Sequence, residues 1–138
     1  HIRLRKFNTR DTYPEQNIDN DLSQGVIAKG ATVFLRGQVS QDLETRGSLH
    51  TGDPKLQTRN TMENIDILLD DAGSCMEHIC RIVVYLTDIR HREPIYREMG
   101  RWLKDVYPCS TGIVVSALAR PEWLVEIEAT AVIPSESE

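Results

Sequence analysis

Two carboxylates stand two residues apart late in the chain, in Leu124-Val125-Glu126-Ile127-Glu128-Ala129-Thr130-Ala131. Strand alternation sends Val125, Ile127, Ala129 and Ala131 to one face and Glu126, Glu128 and Thr130 to the other. Carboxylates at that spacing lie about 7 Å apart along the strand. Where such a face borders a contact between subunits, at least one of them is held in a semi-dry cleft. Burial raises its pKa and suits it to acid/base work. From the residues alone, a solvated face with Glu chosen for solubility is the commoner arrangement.

Arg36-Gly37-Gln38 is the next candidate. Glycine lets a ligand approach the backbone, whose N–H groups bind oxygen, and arginine offers a two-pronged grip on a carboxylate. The competing reading is a turn glycine beside a surface arginine. Pro108-Cys109-Ser110-Thr111-Gly112 reads as a loop of short side chains. Cys109 or Ser110 has the type of a nucleophile, but no histidine is placed by spacing to activate either. Structural or substrate-lining roles fit them better. Cys75-x2-His78-x-Cys80 has the look of half a zinc site, yet a second ligand pair is missing, so no metal is expected. Three cysteines cannot all pair within one chain, and an odd, sparse count suits a reducing cytosol. Arg81, Arg90, Arg92, Arg97 and Arg101 are interspersed with acids and read as solvated faces with some i,i+4 pairing.

Positioning these groups falls to a short series of elements. Residues 1–20 are polar and aperiodic and read as an irregular arm. Strands are expected over 25–30 and 32–39, joined as a hairpin, with a loop over 40–53. The spacing of Met62, Ile65, Leu69 and Ala72 predicts a helix over 54–72, started by Asp53-Pro54 and stopped by Gly73. A strand over 78–86 and a helix over 94–106 follow, the latter with Ile95, Met99, Trp102, Leu103 and Val106 as its apolar stripe. Strands over 112–118 and 124–133 end the series. The order β-β-α-β-α-β-β describes one α+β domain over residues 1–138. Val83, Val84, Ile113, Val114 and Val115 are apolar without alternation, so both faces of their strands are expected to avoid water. Two helices cover one face of such a sheet; further copies of the chain are expected on the other.

Composition removes several functions. The 138 residues carry 16 Lys and Arg against 21 Asp and Glu, a net charge of −5, which argues against a protein built to grip phosphate backbone. No run approaches the roughly 18 apolar residues of a membrane span. The polar start, His1 to Lys6, lacks the apolar stretch of a secretory signal, so a cytoplasmic setting is expected.

Several segments, in this order, resemble the RidA (YjgF-like) family of reactive-intermediate deaminases, also labelled endoribonuclease L-PSP. They are Ser23-Gln24-Gly25-Val26, Arg36-Gly37-Gln38-Val39, Gln57-Thr58-Arg59-Asn60 with Asn64-Ile65, Asp71-Ala72-Gly73, Val83-Val84-Tyr85-Leu86-Thr87-Asp88 and Val125-Glu126-Ile127-Glu128-Ala129-Thr130-Ala131-Val132. The resemblance spans roughly residues 23–133. It implies a chorismate-mutase-like α+β fold, a homotrimer around a central barrel, and small-molecule clefts between subunits. It also implies hydrolysis of reactive imines and enamines to a keto acid and ammonia, without a cofactor. The glutamate associated with the attacking water matches Glu126, with Glu128 its neighbour, and the glycine whose backbone contacts the ligand matches Gly37. In the family an arginine two residues after the helix-closing proline clamps the substrate carboxylate; counting from Pro108, that position is Ser110. A small residue before Gly-Gln is Arg36 here, and the tyrosine before Ser-Gln is Leu22. The chain therefore reads as a divergent subgroup in which Arg36 binds the anionic group and Cys109, Ser110 and Arg120 line the substrate. The alternatives are a non-catalytic small-molecule binder or regulator and, ranked last on charge, a ribonuclease.

Overall fold

The computed structural model describes residues 1–135. The chain opens with β1 (Ile2–Leu4), β2 (Phe7–Asn8) and one helical turn, α1 (Thr9–Thr12), then β3 (Asp21–Leu22) and β4 (Gly25–Ile27). β1 pairs antiparallel with β4, and β2 with β3. Residues 1–20 are thus not the irregular arm expected. Strands of two or three residues are too short for alternation to register, and long-range contacts hold them: Arg3 donates from Nη1 to Ile79 O (2.7 Å) and from Nη2 to Glu77 O (3.0 Å).

The expected early hairpin does not form either. β5 (Gly30–Phe34) pairs with β8 (Val125–Pro134), while its sequence neighbour β4 stays with β1. Gly30 makes this change of partner possible, because a Cβ there would collide with the carbonyl of Ile133. β5 also stops at Phe34, short of Val39. Phe34 stands opposite Thr130, and the next bridge is Gln38 to Ile127, so one extra residue bulges out between them. That bulge contains Arg36 and Gly37.

α2 (Pro54–Asp71) follows its sequence signals. Asp53 caps it by accepting from Leu56 N at 2.9 Å, Pro54 occupies the first turn, and Gly73 leaves it at φ +74. Met62, Ile65 and Leu69 are fully buried, although Ala72, the expected fourth member of the stripe, is exposed. A 3-10 turn (Met76–His78) leads into β6 (Ile79–Leu86). A second one (Ile89–His91) leads into α3 (Arg92–Trp102), which closes four residues before the expected Val106. β7 (Cys109–Val114) starts earlier than expected, directly after Pro108.

The central sheet runs in the order β5-β8-β6-β7, with β6 and β7 parallel and the other pairs antiparallel. α3 provides the crossover between the parallel pair. α2 and α3 cover one face, where Ile82, Val84, Leu86, Val125, Ile127 and Ala129 are buried against Met62, Ile65 and Met99. Each large apolar side chain so buried contributes roughly 1.5–3 kcal/mol. Among the described residues no helix covers the other face. Phe34 on that face is 81% exposed, and Ile113 is 44% exposed. Among the described residues no helix is long and apolar enough to cross a membrane.

Candidate functional site

β8 delivers the expected division of side chains. Val125, Ile127, Ala129 and Ala131 are buried beneath the helices, and Glu126, Glu128 and Thr130 point to the uncovered face. Tyr85 of β6 stands opposite Glu126. Its hydroxyl donates to Glu128 Oε1 at 3.3 Å, tying the second carboxylate to the neighbouring strand. Burial and the charge of Glu128 push the Tyr85 phenol upward.

The bulge brings Gly37 against Glu126. Gln38 N donates to Ile127 O (2.8 Å) and Ile127 N to Gln38 O (2.9 Å), and Gln38 Nε2 closes the turn on Arg36 O at 2.9 Å. Held this way, the Cα of Gly37 faces the Glu126 carboxylate so closely that a Cβ would lie 2.9 Å from its Cδ and overlap Oε2. No other residue fits without displacing the acid. Glu126 itself is half-buried, and burial pushes its carboxyl up. The exposed Arg36 guanidinium draws it back toward the charged form, while Glu128 adds to the rise. A carboxylate with a raised pKa and an open side is suited to taking and returning a proton.

α2 builds the walls beside this acid. Its first turns bury polar side chains that bind loops far away in sequence. Gln57 Nε2 donates to His50 O (3.2 Å) and Glu122 O (2.9 Å), and its Oε1 accepts from Leu124 N (2.9 Å). Asn64 Nδ2 donates to Gln41 O at 2.9 Å and to Val39 O at 3.3 Å. These side chains anchor the bulge and the start of β8 to one rigid helix. Sequence patterning missed their role; the available signal was amide side chains at helical spacing beside an apolar stripe.

The other candidates lie apart within one chain. Arg120 stacks over Trp123, 5.5 Å from the ring centroid, in the turn before β8. Cys109 is level with Arg81, well along β7 from Ile113, and its thiol donates to Cys80 O at 3.3 Å. Ser110 stands beside Ile82 on the helix-facing side, opposite to Glu126. Its Oγ is buried without a hydrogen-bond partner among the described residues. Arg92, expected on a solvated face, is half-buried between aromatic rings. Among the described residues no group of three or more His, Cys, Asp or Glu is arranged to hold a metal ion.

The family model for endoribonuclease L-PSP matches residues 15–133. A RutC family protein of Pyrococcus abyssi is 31% identical over 105 residues, covering 76% of this chain and 81% of the relative. RidA from an Antarctic Psychrobacter species superposes with a TM-score of 0.69 at 30% identity, over 80% of this chain and 87% of that one. A YjgF family member from Neisseria meningitidis gives a TM-score of 0.65 at 31% identity, over 82% and 87%. Fold, motif order and these likenesses agree: the chain belongs to the endoribonuclease L-PSP family, the YjgF/RidA proteins.

Proposed function

We propose that the protein hydrolyses reactive imines and enamines to a keto acid and ammonia, in clefts closed by neighbouring copies in a homotrimer. One observation carries this reading. Glu126 is held half-dry with a raised pKa, over a glycine that leaves its carboxylate and the adjoining backbone open to a small ligand. In the reaction, a water oxygen attacks the imine carbon and the C=N electron pair moves to nitrogen. Glu126 takes the proton released by the water. It returns that proton to the nitrogen to give the carbinolamine, then takes the remaining hydroxyl proton and passes it to the same nitrogen as the C–N bond breaks, so ammonia leaves and the carbonyl forms. The Arg36 charge favours the ionised form of the carboxylate, the form that accepts the first proton. Glu128, fixed by Tyr85, shapes the charge beside it.

The separation of Glu126 from Cys109 and Ser110 within one chain supports a cleft shared between copies, since a ligand touching both sets needs a second protomer. The test generates imines in place and follows keto acid formation against the spontaneous rate. Wild type should accelerate it, and Glu126→Ala should fall to the uncatalysed rate while keeping its fold. Equal rates for the two would remove the assignment.

A non-catalytic binding role is favoured by Ser110, which stands where the family's resemblance calls for a clamping arginine. Thermal stabilisation by keto acids without turnover of any imine would select that reading. Ribonuclease action, named in the family's description, sits poorly with a net charge of −5.

A further inference from the structure

The helix layer carries a cationic cleft that the sheet-face site does not use. Glu98 of α3 forms its floor: the side chain is 3% exposed, and Oε2 accepts from Trp102 Nε1 at 3.2 Å. Oε1 faces two guanidinium groups, Arg59 of α2 at 3.5 Å and Arg101 of α3 at 3.8 Å. One turn earlier on each helix stand Lys55 and Arg97. Lys55, Pro94, Arg97, Glu98 and Arg101 enclose a narrow cleft of about 90 Å³. A wider cleft of about 570 Å³, bounded by Arg59, Glu98, Arg101 and Trp102, shares Glu98 and Arg101 with it.

Four cations thus meet one carboxylate, in a chain whose net charge is −5. Two of them have few partners. Lys55 makes no hydrogen bond or ion pair among the described residues, and Arg97 uses only Nε, donating to Asn17 O at 3.2 Å. The long contacts to Glu98 leave Arg59 and Arg101 with N–H groups to give. Lys55 and Arg59, like Arg97 and Arg101, are like-charged neighbours four residues apart, an arrangement that costs stability until an anion offsets it.

A phosphate group matches this donor set. Its charge and spread oxygens engage guanidinium forks and a lysine point charge together. The narrow cleft takes one such group, and the wider cleft leaves space for an organic body beside Trp102. A long polyanion fits poorly, because the cationic stripe of α2 turns acidic at Asp66 and Asp70, two and three turns past Arg59. We propose that this cleft binds the phosphoryl group of a small phosphate monoester. It lies in the helix layer, across the sheet from Glu126, and does not rest on the imine reading.

Calorimetric titration of the full chain with phenyl phosphate, inorganic phosphate and a short oligoribonucleotide, at one ionic strength, tests this. Wild type should bind phenyl phosphate most tightly of the three. Lys55→Gln and Arg101→Gln change exposed side chains outside the core, so both variants should fold. Each should weaken phenyl phosphate roughly 10-fold, and the pair roughly 100-fold. Arg90→Gln, an exposed charge elsewhere, should leave binding unchanged, and Glu126→Ala should bind like wild type. Absence of phenyl phosphate binding in wild type overturns the proposal, as does a double variant that binds it undiminished. Loss of binding in Glu126→Ala would move the ligand to the sheet face and overturn it equally. An order in which inorganic phosphate or the oligoribonucleotide leads would overturn the ligand class.

Discussion

At Glu126 the competition between burial and the Arg36 charge has consequences that titration can read. Its folded pKa lies above the ordinary 4.5, so the native state holds its proton more tightly than the unfolded chain does. The corresponding stability is complete below about pH 4.5 and is lost as pH rises through the raised value. Glu126→Gln, which never ionises, should therefore melt higher than wild type at pH 7, with the difference closing in acid; calorimetry at several pH values checks this. In catalysis the acid must start ionised, so turnover should fall as pH drops through the same raised value. Arg36→Gln removes the influence that lowers it, and the acidic limb of the rate profile should then move to higher pH. Gly37→Ala separates function from stability. Its methyl meets only the end of a flexible carboxylate, so denaturant unfolding should change by less than about 1 kcal/mol, while hydrolysis should drop about 100-fold or more as Glu126 is displaced.

Among the elements, α2 is the one on which the site depends. Gln57→Ala should remove three hydrogen bonds that join its first turn to the loops at His50 and Glu122–Leu124. The expected cost is ~1–3 kcal/mol, read by urea unfolding, with a rise in KM as the start of β8 loosens. α2 and β8 were the parts most legible from the chain alone, because their periodicity extends over many residues and their signals are local: a capping Asp53, Pro54, Gly73, an unbroken alternation from Val125 to Ala131. Glu126 and Gly37 were legible as candidates for the same reason. Pairing was not. β4 and β5 are adjacent in sequence and look like a hairpin, but β8 competes successfully for β5 across about a hundred residues. Arg92 was misread as a surface charge, since the groups that enclose it, Tyr13 and Gly112, come from opposite ends of the chain and no spacing rule joins them. Gln57 was hidden likewise: a buried amide is recognisable only once its distant partners are in place.

For the whole molecule, the uncovered sheet face decides whether the proposed clefts exist. Phe34, 81% exposed on β5, and Ile113, 44% exposed on β7, leave apolar side chains at both edges of this face, a poor surface to keep in water. Phe34→Asp places a charge there and should break the proposed trimer into monomers, read by sedimentation, with the proposed imine hydrolysis lost although Glu126 is untouched. Wild-type protein that sediments as a monomer at micromolar concentration would remove the shared cleft and the reaction assigned to it. The position of β8 between β5 and β6 carries one more consequence. Among the described strands the one that joins the two halves of the sheet comes latest in sequence, so until residues 125–134 emerge the nascent chain holds two open β edges and no assembled acid. Contacts of such long sequence separation fold slowly, and during that interval the polypeptide is most in need of a chaperone.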